Sequence, residues 1–292
     1  MKTLDLYQSS LRRLKEEGVP DAEIEASLLL GHVLNLSRAQ LFLSENEIPP
    51  HLVREFEKIL ARRLLREPFA YIAGEQEFWS LPFHVSKDVL IPRPETEILL
   101  EVILQVLQGD DRNVDTVPFL VLDMGTGSGV ISVVLAKELQ RSSICSVDLS
   151  LDAQKIAFQN AVRHGVDDRI HFVNSNWLGG IRLEPLFDLV VSNPPYVASE
   201  TFPGLQPEVQ QYEPRLALDG GEDGMEQIHV FAPLVADILK PEGRFFMEIG
   251  ADQGEMVMDL FESLGSFDSL VIYDDYAGLP RIFHARRIYT AH

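Results

Sequence analysis

Cysteine is almost absent: Cys145 is the single one in 292 residues. No disulfide can form within the chain, and no multi-cysteine zinc site can be built. Cys145 lies in the apolar run 144–147, where a small buried side chain is expected rather than a nucleophile. Positive charge is scarce as well, with 25 Lys and Arg against 45 Asp and Glu, a net of −20. Such a chain is poorly suited to non-specific binding of phosphate backbones. It leaves room for a local basic patch or for a basic protein partner. No apolar run approaches the ~18 residues that cross a bilayer, so no membrane span is expected. Residues 1–8 lack the basic start and apolar core of a secretory signal, so a cytoplasmic protein is expected. The histidines are scattered without metal-ligand spacing, and no metal centre is expected. What is present is ordinary for a globular chain: 46% hydrophobic and 24% charged residues, with length for one large or two smaller domains.

The first ~75 residues have helical spacing. Leu4, Leu11 and Leu14 mark one apolar face, and Ile24, Leu28, Leu29 and Val33 a second. Ser37 followed by Gln40 has the spacing of a capping box. A further helix over 50–66 turns Val53, Phe56, Ile59 and Leu60 inward. Its other face carries Arg54, Lys58, Arg62, Arg63 and Arg66. That face is either plainly solvated or a contact surface for an acidic partner. Residues 74–94 change character: Phe78, Trp79, Leu81, Phe83 and Val85 with Pro82 predict strands or a hairpin. Ile91-Pro92-Arg93-Pro94 cannot be helix interior, and predicts a hinge.

From residue 119 short apolar runs alternate with helical segments. Strands are predicted over 119–123, 144–148, 170–173, 187–193, 244–249, 270–274 and 281–287. The pattern implies an α/β fold with a mostly parallel sheet and helices on both faces. Ligands of such sheets bind at the carboxyl ends of the strands, where Asp123, Asp148 and Asn193 fall.

The turn Gly125-Thr126-Gly127-Ser128-Gly129 joins the first of these strands to its helix. Its spacing is G-x-G-x-G with Val130 next, which departs from the dinucleotide fingerprint. Asp148, at the end of the following strand, can accept hydrogen bonds from both hydroxyls of a ribose. Turn and acid together fit a nucleoside-containing cofactor, with S-adenosylmethionine ahead of a dinucleotide or a structural turn. Asp123 either ligates or pins the glycine loop through backbone N–H groups.

Asn193-Pro194-Pro195-Tyr196 ends a strand, because the prolines cannot donate ladder hydrogen bonds. The Asn193 amide and the Pro194 carbonyl offer two acceptors in one plane, and Tyr196 can stack on a planar group. An amide or exocyclic amine nitrogen is a poor nucleophile because its lone pair is delocalised. Two acceptors drawing on its protons make it more pyramidal. The rest is placement in line with an activated methyl group.

Together with the helical N-terminal region, residues 74–79, Ile91 to Glu97, residues 213–218 and Asp275-Tyr276, these motifs resemble the peptide chain release factor glutamine methyltransferases, the PrmC/HemK family. The resemblance covers nearly the whole chain. It implies a class I S-adenosylmethionine-dependent methyltransferase fold, Rossmann-like with a seven-stranded mostly parallel sheet. It implies a helical docking domain over 1–74, a hairpin and proline-rich linker over 75–94, and a catalytic domain over 95–292. The methyl acceptor would be the side-chain amide nitrogen of the Gln in the Gly-Gly-Gln loop of class I release factors, tuning translation termination. By carry-over, Gly125, Thr126, Gly127, Ser128 and Gly129 would hold the methionine end of S-adenosylmethionine, and Asp148 its ribose. Asn176 and Trp177 would flank the adenine. Asn193, Pro194, Pro195 and Tyr196 would bind the substrate Gln, with Asn193 also near the cofactor. Arg93 would wall the pocket or serve only the hinge.

Two rival readings remain at this level. One is an amino-methyltransferase of adenine or guanine in DNA or RNA, which shares the tetrapeptide. The other is a non-enzymatic interaction protein on the same scaffold. Charge by region bears on the first: residues 79–292 carry a net −17, and residues 1–78 only −3. The expected partner is therefore a release factor rather than nucleic acid, and the protein is expected to be a monomer. The stretch 218–224, rich in glycine and acid, reads as a flexible loop or an acidic lip.

Overall fold

A computed structural model describes residues 2–43, 47–109 and 118–288. Met1, 44–46, 110–117 and 289–292, which the domain ranges above include, lie outside the described residues. In chain order the helical region holds α1 (Thr3–Glu16), α2 (Ala22–Leu34), α3 (Arg38–Leu43), α4 (Pro50–Leu64) and α5 (Phe69–Ala73). Then come β1 (Glu75–Phe78), β2 (Leu81–His84), α6 (Pro94–Gln108), β3 (Phe119–Met124), α7 (Val130–Glu138), β4 (Ser142–Asp148), α8 (Leu151–Arg163) and β5 (Ile170–Asn174). The rest are β6 (Phe187–Ser192), α9 (Pro207–Tyr212), α10 (Glu226–Ile238), β7 (Leu239–Glu248), α11 (Gly254–Leu264), β8 (Phe267–Asp274) and β9 (Pro280–Arg287). The chain forms two compact units: Met1–Glu75 with Gln206–Tyr212, and Gln76–Leu205 with Glu213–His292.

In the first unit, Leu6, Leu14, Ala26, Leu29, Leu30, Phe56 and Leu60 form the core. The helical spacing identifies the helices but misplaces two faces. Leu4 is 53% exposed while Leu6 is buried, and Ile24 and Leu28 are exposed while Ala22 and Ala26 turn inward. Small alanines pack closely enough to form a contact face, and the unbroken run Leu28–Leu30 leaves the phase of the helix open. The capping box at α3 is formed: the Gln40 amide N–H donates to Ser37 Oγ at 3.3 Å, and the Ser37 N–H donates to Gln40 Oε1 at 2.8 Å.

The basic face of α4 is not solvated throughout. Arg63 is buried and pairs with Glu25 at 2.9 Å and with Glu208 of α9 at 3.0 Å. Arg66 pairs with Glu208 at 2.7 Å, and Arg62 with Glu67. Burial opposes ionisation of Glu208, but the hydrogen bonds from Arg66 and Arg63 outweigh it and hold its carboxyl below the usual range. Arg54, Lys58 and Arg62 of that face remain on the surface.

In the second unit, β1 and β2 form the expected hairpin. Its two-residue turn, Trp79-Ser80, takes positive φ at both positions, 55° and 56°, the primed-turn geometry that matches strand twist. Phe78 and Phe83 bury against α6, α7 and the sheet. The seven-stranded sheet has the order β5-β4-β3-β6-β7-β9-β8. Its first five strands run parallel, and β9 is antiparallel to both β7 and β8. The chain leaves β3 outward through β4 and β5, then returns to β6 on the other side of β3. That reversal opens a crevice at the carboxyl ends of β3 and β6. Strand β7 starts at Leu239, five residues ahead of the expected start. The added stretch, with Pro241 and Gly243, lies where the register against β6 shifts between Phe187 and Leu189.

Candidate active site

The glycine turn sits at the crevice. Gly125, Gly127 and Gly129 all take positive φ, at 76°, 55° and 82°, which only glycine adopts without strain. The Gly125 and Thr126 N–H groups donate to the Val147 carbonyl at 2.8 and 3.0 Å, tying the turn to β4. Asp123 pins it from below: its Oδ2 accepts from Thr126 Oγ1 at 2.8 Å and from Ser132 Oγ at 2.6 Å. Asp123 is fully buried, and burial pushes its carboxyl up to about 6 against those two hydrogen bonds. The same surroundings push the Cys145 thiol up to about 11, first by burial and then by Asp123, so it carries no nucleophilic thiolate.

Asp148 ends β4 facing the cavity. Its Oδ2 accepts the Gly127 N–H and its Oδ1 the Ser150 N–H, each at 2.8 Å. Burial raises its pKa against these bonds. Each carboxylate oxygen keeps a second lone-pair direction for a ligand hydroxyl.

The cavity over the turn has a volume of about 630 Å³, within the ~300–1,000 Å³ of small-molecule sites. Gly125, Thr126, Gly127, Ser128, Asp148, Asn176, Trp177, Asn193, Pro195 and Arg93 all line it. Three residues expected in the site do not. Gly129 is a packing glycine: a Cβ there would lie 2.9 Å from Ala157 Cβ. Pro194 is buried behind the wall. Tyr196 turns its hydroxyl away to Glu248. Trp177 serves both wall and core, since its ring packs 4.8 Å from Phe231 while its indole N–H donates to Gln227 at 3.0 Å. Arg93 lines the cavity and also pairs at 2.5 Å with the buried Glu213, whose second oxygen accepts the Ile91 N–H.

Beneath Asn193–Tyr196 lies a polar support that the sequence does not announce. Glu248, the last residue of β7, is fully buried. Its Oε2 accepts from Thr96 Oγ1 at 2.7 Å and its Oε1 from the Tyr196 hydroxyl at 3.0 Å. Thr96 Oγ1 in turn accepts from Asn193 Nδ2 at 3.0 Å. Burial raises the Glu248 pKa, while the two hydroxyls and Arg281 oppose the rise. Burial raises the Tyr196 phenol too, and the adjacent Glu248 adds to it.

Residues 218–224 are a built clamp, not the flexible loop expected. The Val197 N–H donates to the Leu218 carbonyl and the Gly220 N–H to the Val197 carbonyl, both at 2.9 Å. Gln253 Nε2 donates to the carbonyls of Tyr196 and Gly224, at 3.1 and 3.0 Å. A Cβ on Gly220 would lie 2.8 Å from Tyr196 Cα, and one on Gly224 2.4 Å from the Tyr196 carbonyl oxygen. The glycines let two backbones touch. The one local signal for this was their density in Gly220-Gly221-Glu222-Asp223-Gly224.

Two family models match the chain: the PrmC N-terminal domain over residues 5–74, and the methyltransferase small domain over residues 97–206. A release factor glutamine methyltransferase of Moorella thermoacetica is 38% identical over 279 residues, 95% of this chain and 96% of that protein. A bifunctional methyltransferase of Rickettsia typhi is 38% identical over 283 residues, 92% of this chain, which spans about half of that protein's length (54%). Among solved structures, the hMettl16 catalytic domain in complex with MAT2A 3'UTR hairpin 6 superposes with a TM-score of 0.55 at 14% identity, over 80% of this chain and 82% of that one. The Thermus thermophilus 16S rRNA N2 G1207 methyltransferase in complex with AdoMet and guanosine superposes at 0.50 and 18% identity, over 73% of this chain and 49% of that one. These likenesses show a class I methyltransferase fold.

Proposed function

The chain belongs to the release factor glutamine methyltransferase family, and from that premise we propose that it methylates the side-chain amide nitrogen of the loop Gln of a class I release factor. The observation that carries the reading is the meeting, in one cavity, of the glycine cradle and Asp148 with Asn193. S-adenosylmethionine is the cofactor, and when bound it supplies an activated methyl group. The site's donors and acceptors fit it. Gly127 has nothing within 4 Å of the position a Cβ would take, so its backbone is open to a ligand. Asp148 would accept the ribose hydroxyls, and Asn176 and Trp177 would flank the adenine.

Asn193 Oδ1 would accept an N–H of the substrate amide in the cavity, while Pro194, buried out of the lining, stiffens the backbone that carries Asn193. That fixes the nitrogen in place and draws electron density toward it. Arg93 would border the entering loop. No general base is needed before transfer, because the methylated nitrogen can release its proton to water afterwards. Docking of the release factor is assigned to the helical unit, and the reading implies a cytoplasmic protein. The test is incubation with methyl-labelled S-adenosylmethionine and a release factor. Label on the wild-type factor, and none when its loop Gln is replaced, supports the reading. Equal label on both overturns it.

A further inference from the structure

We propose that Glu248 is a positioning residue that sets the orientation of the Asn193 amide through Thr96, so that an acceptor and not a donor faces the reacting nitrogen. The proposal rests on the reading above for what occupies the cavity, and on the hydrogen-bond geometry for the rest.

Proton counting fixes the orientation. Ionised, the form that both hydroxyls and Arg281 favour against burial, Glu248 only accepts. Glu248 lies wholly out of solvent, and each of its oxygens takes one hydroxyl, from Thr96 and from Tyr196. Thr96 has a single hydroxyl proton, and Glu248 takes it. Thr96 Oγ1 then has only lone pairs to offer Asn193. The Asn193 arm that meets it must be Nδ2, as it is at 3.0 Å. An amide has its nitrogen and oxygen on opposite arms, so fixing one fixes the other. Oδ1 is thereby the atom left for the cavity, which both Thr96 and Asn193 line. Reversing the amide would set an N–H against the N–H groups of the substrate and leave two buried oxygens facing each other. The polarity of the catalytic acceptor is thus set two hydrogen bonds away. Glu248, Thr96 and Asn193 come from β7, α6 and the end of β6, which the sheet brings together.

A Gln at position 248 keeps the shape but brings its own N–H₂ arm, so it cannot accept from both hydroxyls. With that arm against Thr96, the Thr96 proton is released to turn toward Asn193. With it against the Tyr196 hydroxyl, which can accept, only Thr96→Val breaks the relay. The experiment uses the full-length protein with Glu248→Gln, Thr96→Val and Thr96→Ser. Glu248→Gln and Thr96→Val are expected to lower kcat about 10- to 100-fold, with S-adenosylhomocysteine affinity within about twofold of wild type. Thr96→Ser restores kcat, because it keeps the hydroxyl. A release factor with its loop Gln replaced by Glu gives a readout that a merely structural role would not move. Wild-type enzyme disfavours that carboxylate against Asn193 Oδ1, and Glu248→Gln narrows the preference. The Asn193 side-chain amide resonance in nitrogen-15-labelled protein reports the orientation without any substrate. It should shift in Glu248→Gln and Thr96→Val and not in Thr96→Ser. A wild-type enzyme that leaves release factors unlabelled overturns the functional reading, while the resonance still decides the relay. Wild-type kcat and an unmoved resonance in both Glu248→Gln and Thr96→Val overturn the relay alone.

Discussion

Gly127 and Gly129 differ by two positions and share a backbone conformation, yet alanine should affect them through different routes. At Gly129 the φ of +82° costs an L-residue about 1–2 kcal/mol. The new Cβ would also lie 2.9 Å from Ala157 Cβ and 3.0 Å from its Cα, on the buried seam between α7 and α8. Overpacking of that kind costs about 1–3 kcal/mol. Gly129→Ala should therefore destabilise the second unit by about 2–5 kcal/mol, a large share of the ~5–15 kcal/mol typical of a domain. At Gly127 the φ of +55° brings a similar conformational cost, but nothing lies within 4 Å of the added methyl. Gly127→Ala should destabilise by only about 1 kcal/mol. The space its methyl fills is the cavity, so its main effect should be on ligand affinity. The assay is denaturant unfolding followed by tryptophan fluorescence, with calorimetric titration of S-adenosylhomocysteine alongside. Trp79 and Trp177 are the chain's two tryptophans and both lie in the second unit, so the signal reports that unit alone. Affinity should fall at least about tenfold in Gly127→Ala, the loss of roughly 1.4 kcal/mol. Superimposable unfolding curves for Gly129→Ala and wild type would refute the packing argument. Undiminished affinity in Gly127→Ala would refute the placement of the ligand.

Other perturbations separate the remaining parts. Asp148→Asn should weaken S-adenosylhomocysteine binding about 10- to 100-fold by calorimetry. It removes charge-assisted bonds of about 1.5–3 kcal/mol and sets an N–H₂ group against the N–H of Gly127 or Ser150. Arg63→Ala should destabilise the helical unit by about 1.5–3 kcal/mol in circular dichroism melts, since half-buried Glu25 would lose its cation while Glu208 keeps Arg66. His284 is stacked 4.3 Å from Phe246, and burial, with Arg244 and Arg286 nearby, pushes its pKa down to about 4. A folded pKa below the unfolded one means stability that is present above about pH 6.5 and lost as pH falls toward 4. Over that window wild type should lose about 3 kcal/mol relative to His284→Phe, measured by unfolding at stepped pH. A constant difference across the window would contradict the burial of a neutral imidazole.

Much of this architecture was legible in the sequence because its signals are local. Strand and helix alternate from residue 119, the glycine turn follows a strand, and the two prolines stop β6 where the crevice opens. The capping box at Ser37 was equally plain. What escaped is what depends on distant partners. Arg63 and Arg66 read as a surface face because their counter-ion, Glu208, comes from α9, 142 residues beyond Arg66. Glu248 reads as the polar end of a strand, and its hydroxyl donor Thr96 lies 152 residues away. No period in either segment points to the other. Tyr196 could be placed beside the substrate from its position in the tetrapeptide, yet buried Glu248 draws its hydroxyl away from the cavity. The glycines of 218–224 carry the same lesson: glycine density marks either mobility or close approach, and only the packing partner distinguishes them.

On the proposed function, the methyl group goes to the side-chain nitrogen of one glutamine held at Asn193. Fragmentation mass spectrometry of a release factor treated with the enzyme and S-adenosylmethionine tests it most directly. One added methyl group is expected, confined to the loop Gln and borne by its side-chain nitrogen, and lost when Asn193→Ala enzyme is used. A methyl group on any other residue, or on the loop Gln with undiminished yield from Asn193→Ala, would contradict it.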